Sequence, residues 1–108
     1  MADAFAEAVR KRRYFEPWYE RLAEELPAAD VRHARAMLEV CAKDPNGVSF
    51  ATLSSSIADE VQDARTRQEA VLRLTRALEE DGYVEQTETR WRFRSELLRE
   101  FWRWRYVP

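Results

Sequence analysis

Forty residues constrain this chain more than the rest of it: TRQEAVLRLTRALEEDGYVEQTETRWRFRSELLREFWRWR, from Thr66 to Arg105. Thr66-Arg67-Gln68-Glu69 has the form of a capping box, a hydroxyl for the amide three residues on and a glutamate reaching back. Ala70, Val71, Leu74, Ala77 and Leu78 then fall on one face of a helix. Gly82 stands where a helix end wants a left-handed residue, and Tyr83 is placed to close over Leu78. From Tyr83 to Gln86 and from Trp91 to Arg94 the residues alternate like the arms of a hairpin. A four-residue loop over Thr87 to Arg90 sets Val84 against Phe93 and Glu85 against Arg92, turning Trp91 and Phe93 inward and Arg92 and Arg94 outward. Ser95 then caps a helix with Glu96 in its first turn. On it Leu97, Leu98, Phe101, Trp102 and Trp104 cover an arc of roughly 160°, wide for one buried face.

Upstream, Asp30 reads as the N-cap of a helix with Val31, Ala34, Leu38 and Cys41 on one side. Asp44-Pro45-Asn46-Gly47 is a turn cluster. Val48-Ser49-Phe50 follows as a short strand, leading into a helix lined by Phe50, Leu53 and Ile57 and capped by Ser49 or Thr52. Asp59 to Arg65 is a polar link, longer than the turn of a compact helix-turn-helix; either the preceding helix continues through Val61 or the turn is relaxed. Three helices, a hairpin and a closing helix make a winged helix-turn-helix over residues 28–108. The expected class is mostly α with a small β-hairpin. Residues 1–27 read as an N-terminal helical extension. It has a helix over Ala2 to Arg13 (Phe5, Ala8 and Val9 at helical spacing) ending in Arg10-Lys11-Arg12-Arg13. A second helix starts at Pro17 beside Glu16, carries Trp18, Tyr19, Leu22 and Leu26, and stops at Pro27.

The same residues exclude much chemistry. With only Gly47 and Gly82, neither a P-loop nor a dinucleotide-binding fingerprint can be written. Cys41 and His33 are each alone, so no internal disulfide and no protein-only zinc site is expected. Cys41 reads as a small buried hydrophobe and His33 as a solvated residue near a helix start. Ser54-Ser55-Ser56 lacks the elbow glycine of a nucleophile. The apolar residues after Met1 are broken by Asp3 and Glu7, unlike a signal peptide, and no apolar run reaches a membrane span. A cytoplasmic, reduced protein without cofactor, metal or catalytic residues is the expectation.

Binding remains. As a DNA reader the chain would use Arg67, Gln68 and Arg73 on base edges, with Arg76 beside them and Arg90 on the wing. Against this, 20 acids outweigh 18 Lys and Arg, the isoelectric point is near 5.5, and Glu79, Glu80 and Asp81 repel phosphate. A protein partner is the alternative, since aromatics and arginine are enriched at interface centres. Trp91, Trp102 and Trp104 lie within the last eighteen residues. The candidates for protein contact are Arg99, Trp102, Arg103 and Trp104 on the last helix with Arg92 and Arg94 on the wing. A homodimer burying the aromatic face by symmetry is a further possibility.

The run L-E-E-D-G-Y-V (Leu78 to Val84) followed by W-R-F-R-S-E-L-L-R-E-F-W-R-W-R-Y (Trp91 to Tyr106) resembles the end of many prokaryotic AAA/STAND-type ATPases. In those chains a winged helix follows the nucleotide-binding domain, and its last helix starts at a Phe-Arg-Ser-x-Leu-Leu-Arg step. Here that step is Phe93, Arg94, Ser95, Leu97, Leu98 and Arg99. Y-F-E-P-W-Y-E-R-L (Tyr14 to Leu22) is similar to the segment that precedes the module. The resemblance implies an accessory module that packs on an ATPase core or relays its nucleotide state. A chain without Walker A, Walker B or sensor residues would not hydrolyse ATP itself.

Overall fold

A computed structural model describes residues 20–106, with side chains through residue 105. The expected helix over Ala2 to Arg13, its basic run and the start of the second helix at Pro17 with Trp18 and Tyr19 lie outside the described residues. Residues 20–25 are helical. They are followed by α1 (Ala28–Lys43), β1 (Val48–Ser49), α2 (Phe50–Ser56), α3 (Ala64–Glu80), β2 (Val84–Thr87), β3 (Arg90–Phe93) and α4 (Glu96–Tyr106). This order, mostly helix with a small antiparallel sheet, is compatible with a winged helix-turn-helix.

The sheet has three strands in the order β1-β3-β2. The hairpin register is the one the alternation implies, Val84 opposite Phe93 and Glu85 opposite Arg92. Pairing continues to Thr87 opposite Arg90, so the expected four-residue loop is a two-residue turn at Glu88-Thr89 with Glu88 at φ 57°. The third strand enters by a route the hairpin reading lacks: β1 pairs with β3, Val48 opposite Trp91. Gly47 makes this possible. It has φ 95°, and a Cβ there would stand 3.0 Å from the Trp91 carbonyl oxygen.

Local signals place most helix ends. Ser49 caps α2 by accepting from the Thr52 amide at 3.2 Å, and Ser95 caps α4 by accepting from the Leu98 amide at 3.2 Å. The end of α3 is a Schellman motif around Gly82 (φ 83°). The Tyr83 amide donates to the Leu78 carbonyl at 2.9 Å and the Gly82 amide to that of Glu79 at 3.1 Å.

Two starts differ from expectation. α1 begins at Ala28 with Pro27 in the cap position, so Asp30 is no cap but sits within the first turn. α3 begins at Ala64, where Asp63 accepts from the amide and the hydroxyl of Thr66 at 2.9 and 2.7 Å. The Thr66–Glu69 box is therefore not the cap; Glu69 is exposed and lies 3.6 Å from Arg65. The link between α2 and α3 is relaxed, since α2 stops at Ser56 and turns carry the chain to Asp63.

One core unites these elements. Leu22, Ala34, Met37, Leu38, Cys41, Leu53, Ile57, Val71, Leu74, Leu78, Tyr83, Leu98 and Trp102 are all nearly inaccessible. Leu22 belongs to the extension, so the end of that segment is built into the domain. α4 packs on α1 and β3, while α3 packs on α2 and β2.

Candidate interaction surface

The inner side of α4 finishes the core. Leu98, Phe101 and Trp102 are buried, and the Trp102 ring meets Tyr83 edge-on at 6.2 Å and Phe93 at 5.9 Å. Arg99, expected on the exposed side, is 8% exposed. Its Nη1 donates to the Ala42 carbonyl at 2.8 Å, tying α4 to the end of α1, and its Nε and Nη2 donate to Glu96. These hydrogen bonds hold the Glu96 carboxyl below its ordinary range and raise the Arg99 guanidinium above its own. Trp102 and Arg99 thus leave the set of residues that a partner could touch. The apolar arc on α4 is wide because only part of it is core: Leu98, Phe101 and Trp102 are buried, with Arg99 beyond them, while Leu97 and Trp104 at the other edge stay exposed.

What α4 does expose is narrower. Leu97 and Trp104 are each 46% exposed and stand seven residues apart, two turns along one flank. Glu100, Arg103 and Arg94 are exposed nearby in sequence. The wing is more committed than its arginine count suggests. Arg92 is held by Glu85 at 2.9 Å and Arg90 donates to the Gly47 carbonyl at 2.9 Å. Trp91 is half-buried against Phe50, and its indole N–H donates to Glu79 at 2.9 Å.

On α3 the sequence-predicted base readers divide. Arg67 donates to the Val61 and Gln62 carbonyls at 2.9 and 3.3 Å, stitching the relaxed link to the helix start. Arg73 makes two hydrogen bonds with Asp30 of α1, the side chain expected as a cap. This pair raises the guanidinium further above its ordinary value. Gln68 and Arg76 are exposed. Between them lies Leu72, 50% exposed and absent from the sequence reading because it falls opposite the apolar stripe.

His33 also departs from expectation. It is not solvated: its side chain is 12% exposed, Nε2 lies 3.0 Å from Glu60, and Nδ1 is buried without a hydrogen-bond partner among the described residues. The Glu60 carboxylate also accepts from Arg32 at 3.4 Å. Cys41 is the buried small hydrophobe foreseen, with burial pushing its thiol up to about 12.

An interior space of about 10 Å³ beside Cys41, Leu53, Thr75 and Trp91 would hold at most one water. Among the described residues no group of His, Cys, Asp and Glu could hold a metal ion, and no helix is long and apolar enough to cross a membrane. Comparison with family models, with curated proteins and with solved structures gives no match.

Proposed function

We propose that this chain is a regulatory protein-interaction module of the winged-helix type, related to the C-terminal domain of a STAND/AAA ATPase and acting in the cytoplasm without catalysis of its own. The observation that carries the reading is the Leu97–Trp104 flank of α4, two large apolar side chains half out of the fold on a helix whose Phe101 and Trp102 are buried. A tryptophan that the core does not need is a natural interface anchor, and Arg103 and Arg94 supply the polar surround such anchors favour. The Phe-Arg-Ser-x-Leu-Leu-Arg step of Phe93 to Arg99 supports an ATPase domain as the partner, in the same polypeptide or another.

The DNA reading draws on fewer side chains than the sequence offered. Arg67, Arg73, Arg90 and Arg92 have protein partners, and Gln68 with Arg76 is a small set for a surface that must neutralise several phosphates.

The test is a photo-crosslinking amino acid at position 104, compared with one at position 88 on the wing tip, in cells that express the full chain. The expected result is a protein adduct from position 104 alone, to a partner or flanking domain that carries a P-loop. Trp104→Ala should weaken that purified complex by about 30-fold or more, the scale of a hot-spot residue, and shift the melting temperature little. No adduct from position 104, or a large melting loss, would overturn the reading. So would duplex DNA binding unaffected by Trp104→Ala.

A further inference from the structure

The outward face of α3 is unusual in its charge order. Arg65, Glu69, Leu72, Arg76 and Glu80 project within an arc of about 60–80° at 100° per residue, away from the buried Val71, Leu74 and Leu78. The stripe is about 22 Å long at 1.5 Å per residue. Its charges run plus, minus, plus, minus with Leu72 at the middle. Reversing the helix about a point between Leu72 and Arg73 exchanges Arg65 with Glu80 and Glu69 with Arg76. Every plus then lands on a minus. A two-fold axis through that point therefore makes the stripe complementary to itself, because an isologous contact requires residue i to meet j and j to meet i.

We propose that α3 pairs antiparallel with α3 of a second copy of this chain. Leu72 of each copy meets at the axis, Glu69 faces Arg76 of the other copy, and Arg65 faces Glu80. A parallel arrangement would set like charges side by side, so the order of charges selects direction as well as partner. The relief suits helix packing too. An open trough of about 410 Å³, lined among the described residues by Glu69, Leu72, Arg73, Arg76, Ala77 and Glu80, runs along this face. It can receive the ridge of an opposing helix. Arg73, at the edge of the stripe, is anchored to Asp30 and stays out of the exchange. The contact that must yield is the exposed Arg65–Glu69 pair at 3.6 Å, with side chains 89% and 69% accessible, the kind of pair worth little in the free chain. The surface is separate from the Leu97–Trp104 flank on α4, so the two proposals stand or fall independently.

Sedimentation equilibrium of the full chain at low salt tests it, with Glu69→Arg and Arg76→Glu as variants. Each variant alone sets two like-charge pairs across the axis, and each should weaken self-association by about tenfold or more. An equimolar mixture of the two restores both pairs and should associate as tightly as the wild type, as a heterodimer. Both substitutions are on exposed positions, and unchanged melting of each at dilution shows that the fold is intact. A monomeric wild type, single variants that still dimerise, or a mixture that stays monomeric would each overturn the proposal. So would self-association abolished by Trp104→Ala but untouched by Glu69→Arg, which would move the interface to α4. Duplex DNA bound through α3 by a monomer would overturn it as well.

Discussion

Arg99 shows how one residue changes its meaning once its neighbours are known. A cation opposite the apolar arc of its helix reads as surface, yet its stem lies in the core and its guanidinium is satisfied by Glu96 and the Ala42 carbonyl. Arg99→Ala removes the charged donor and leaves that carbonyl short of a partner, so a loss of about 2 kcal/mol is expected from denaturant titration. Glu96 links the same contact to pH. Its folded value is depressed, chiefly by the Arg99 hydrogen bond, so its contribution is present above the ordinary carboxylate value of 4.5. The contribution is lost as pH falls through the lower folded value. Glu96→Gln should therefore melt below the wild type at neutral pH, with the gap closing under acid. Because the Glu96 side chain is 60% accessible, solvent screens the pair and the gap should be small. A gap that widens on acidification would contradict the assignment.

At the scale of elements, α3 separates what local chemistry announces from what it does not. Its C-terminus was legible because Gly82 and Tyr83 carry the Schellman geometry in their own identities. The hairpin register was legible because alternation admits one pairing that buries Phe93 and Val84. The start of α3 was misread by one turn: Thr66-x-x-Glu69 spells a capping box, but Asp63, three residues earlier, binds both the amide and the hydroxyl of Thr66. Two overlapping cap signals cannot be ranked from sequence alone. The β1–β3 pairing and the contacts of Arg73 with Asp30 and His33 with Glu60 were not legible, because each joins distant segments that only the packed helices bring together. The exposed flank of α4 was half-legible: Trp104 stood out near the chain end, whereas Trp102 on the same helix belongs to the core. The cap makes its own prediction. Asp63→Ala should lower the melting temperature measurably, as loss of an N-cap does, while Glu69→Ala should change stability little when the chain is monomeric. Equal losses, or a larger one at Glu69, would return the cap to the sequence-level box.

For the whole molecule the question is whether the helices and the wing open together. Cys41 answers it. Its side chain lies among residues from α1, α2, α3 and β3, is 2% exposed, and points its thiol at the Trp91 carbonyl 3.9 Å away. Burial holds the thiol at about 12, so the reactive thiolate is suppressed in the folded chain beyond the effect of shielding. The sign of the linkage follows: the unfolded chain ionises first as pH rises past the ordinary thiol value, so stability falls through the alkaline range. Because α1 carries Cys41 while α2, α3 and β3 enclose it, fraying of α4 or of the wing tip should leave it covered. Alkylation by iodoacetamide at mildly alkaline pH should then proceed only through global unfolding. Its rate should rise with denaturant along the slope of the equilibrium transition followed by circular dichroism. A rate that is fast in water and insensitive to denaturant would mean that the core opens locally beside the wing, and that the three-stranded sheet is a separate cooperative unit.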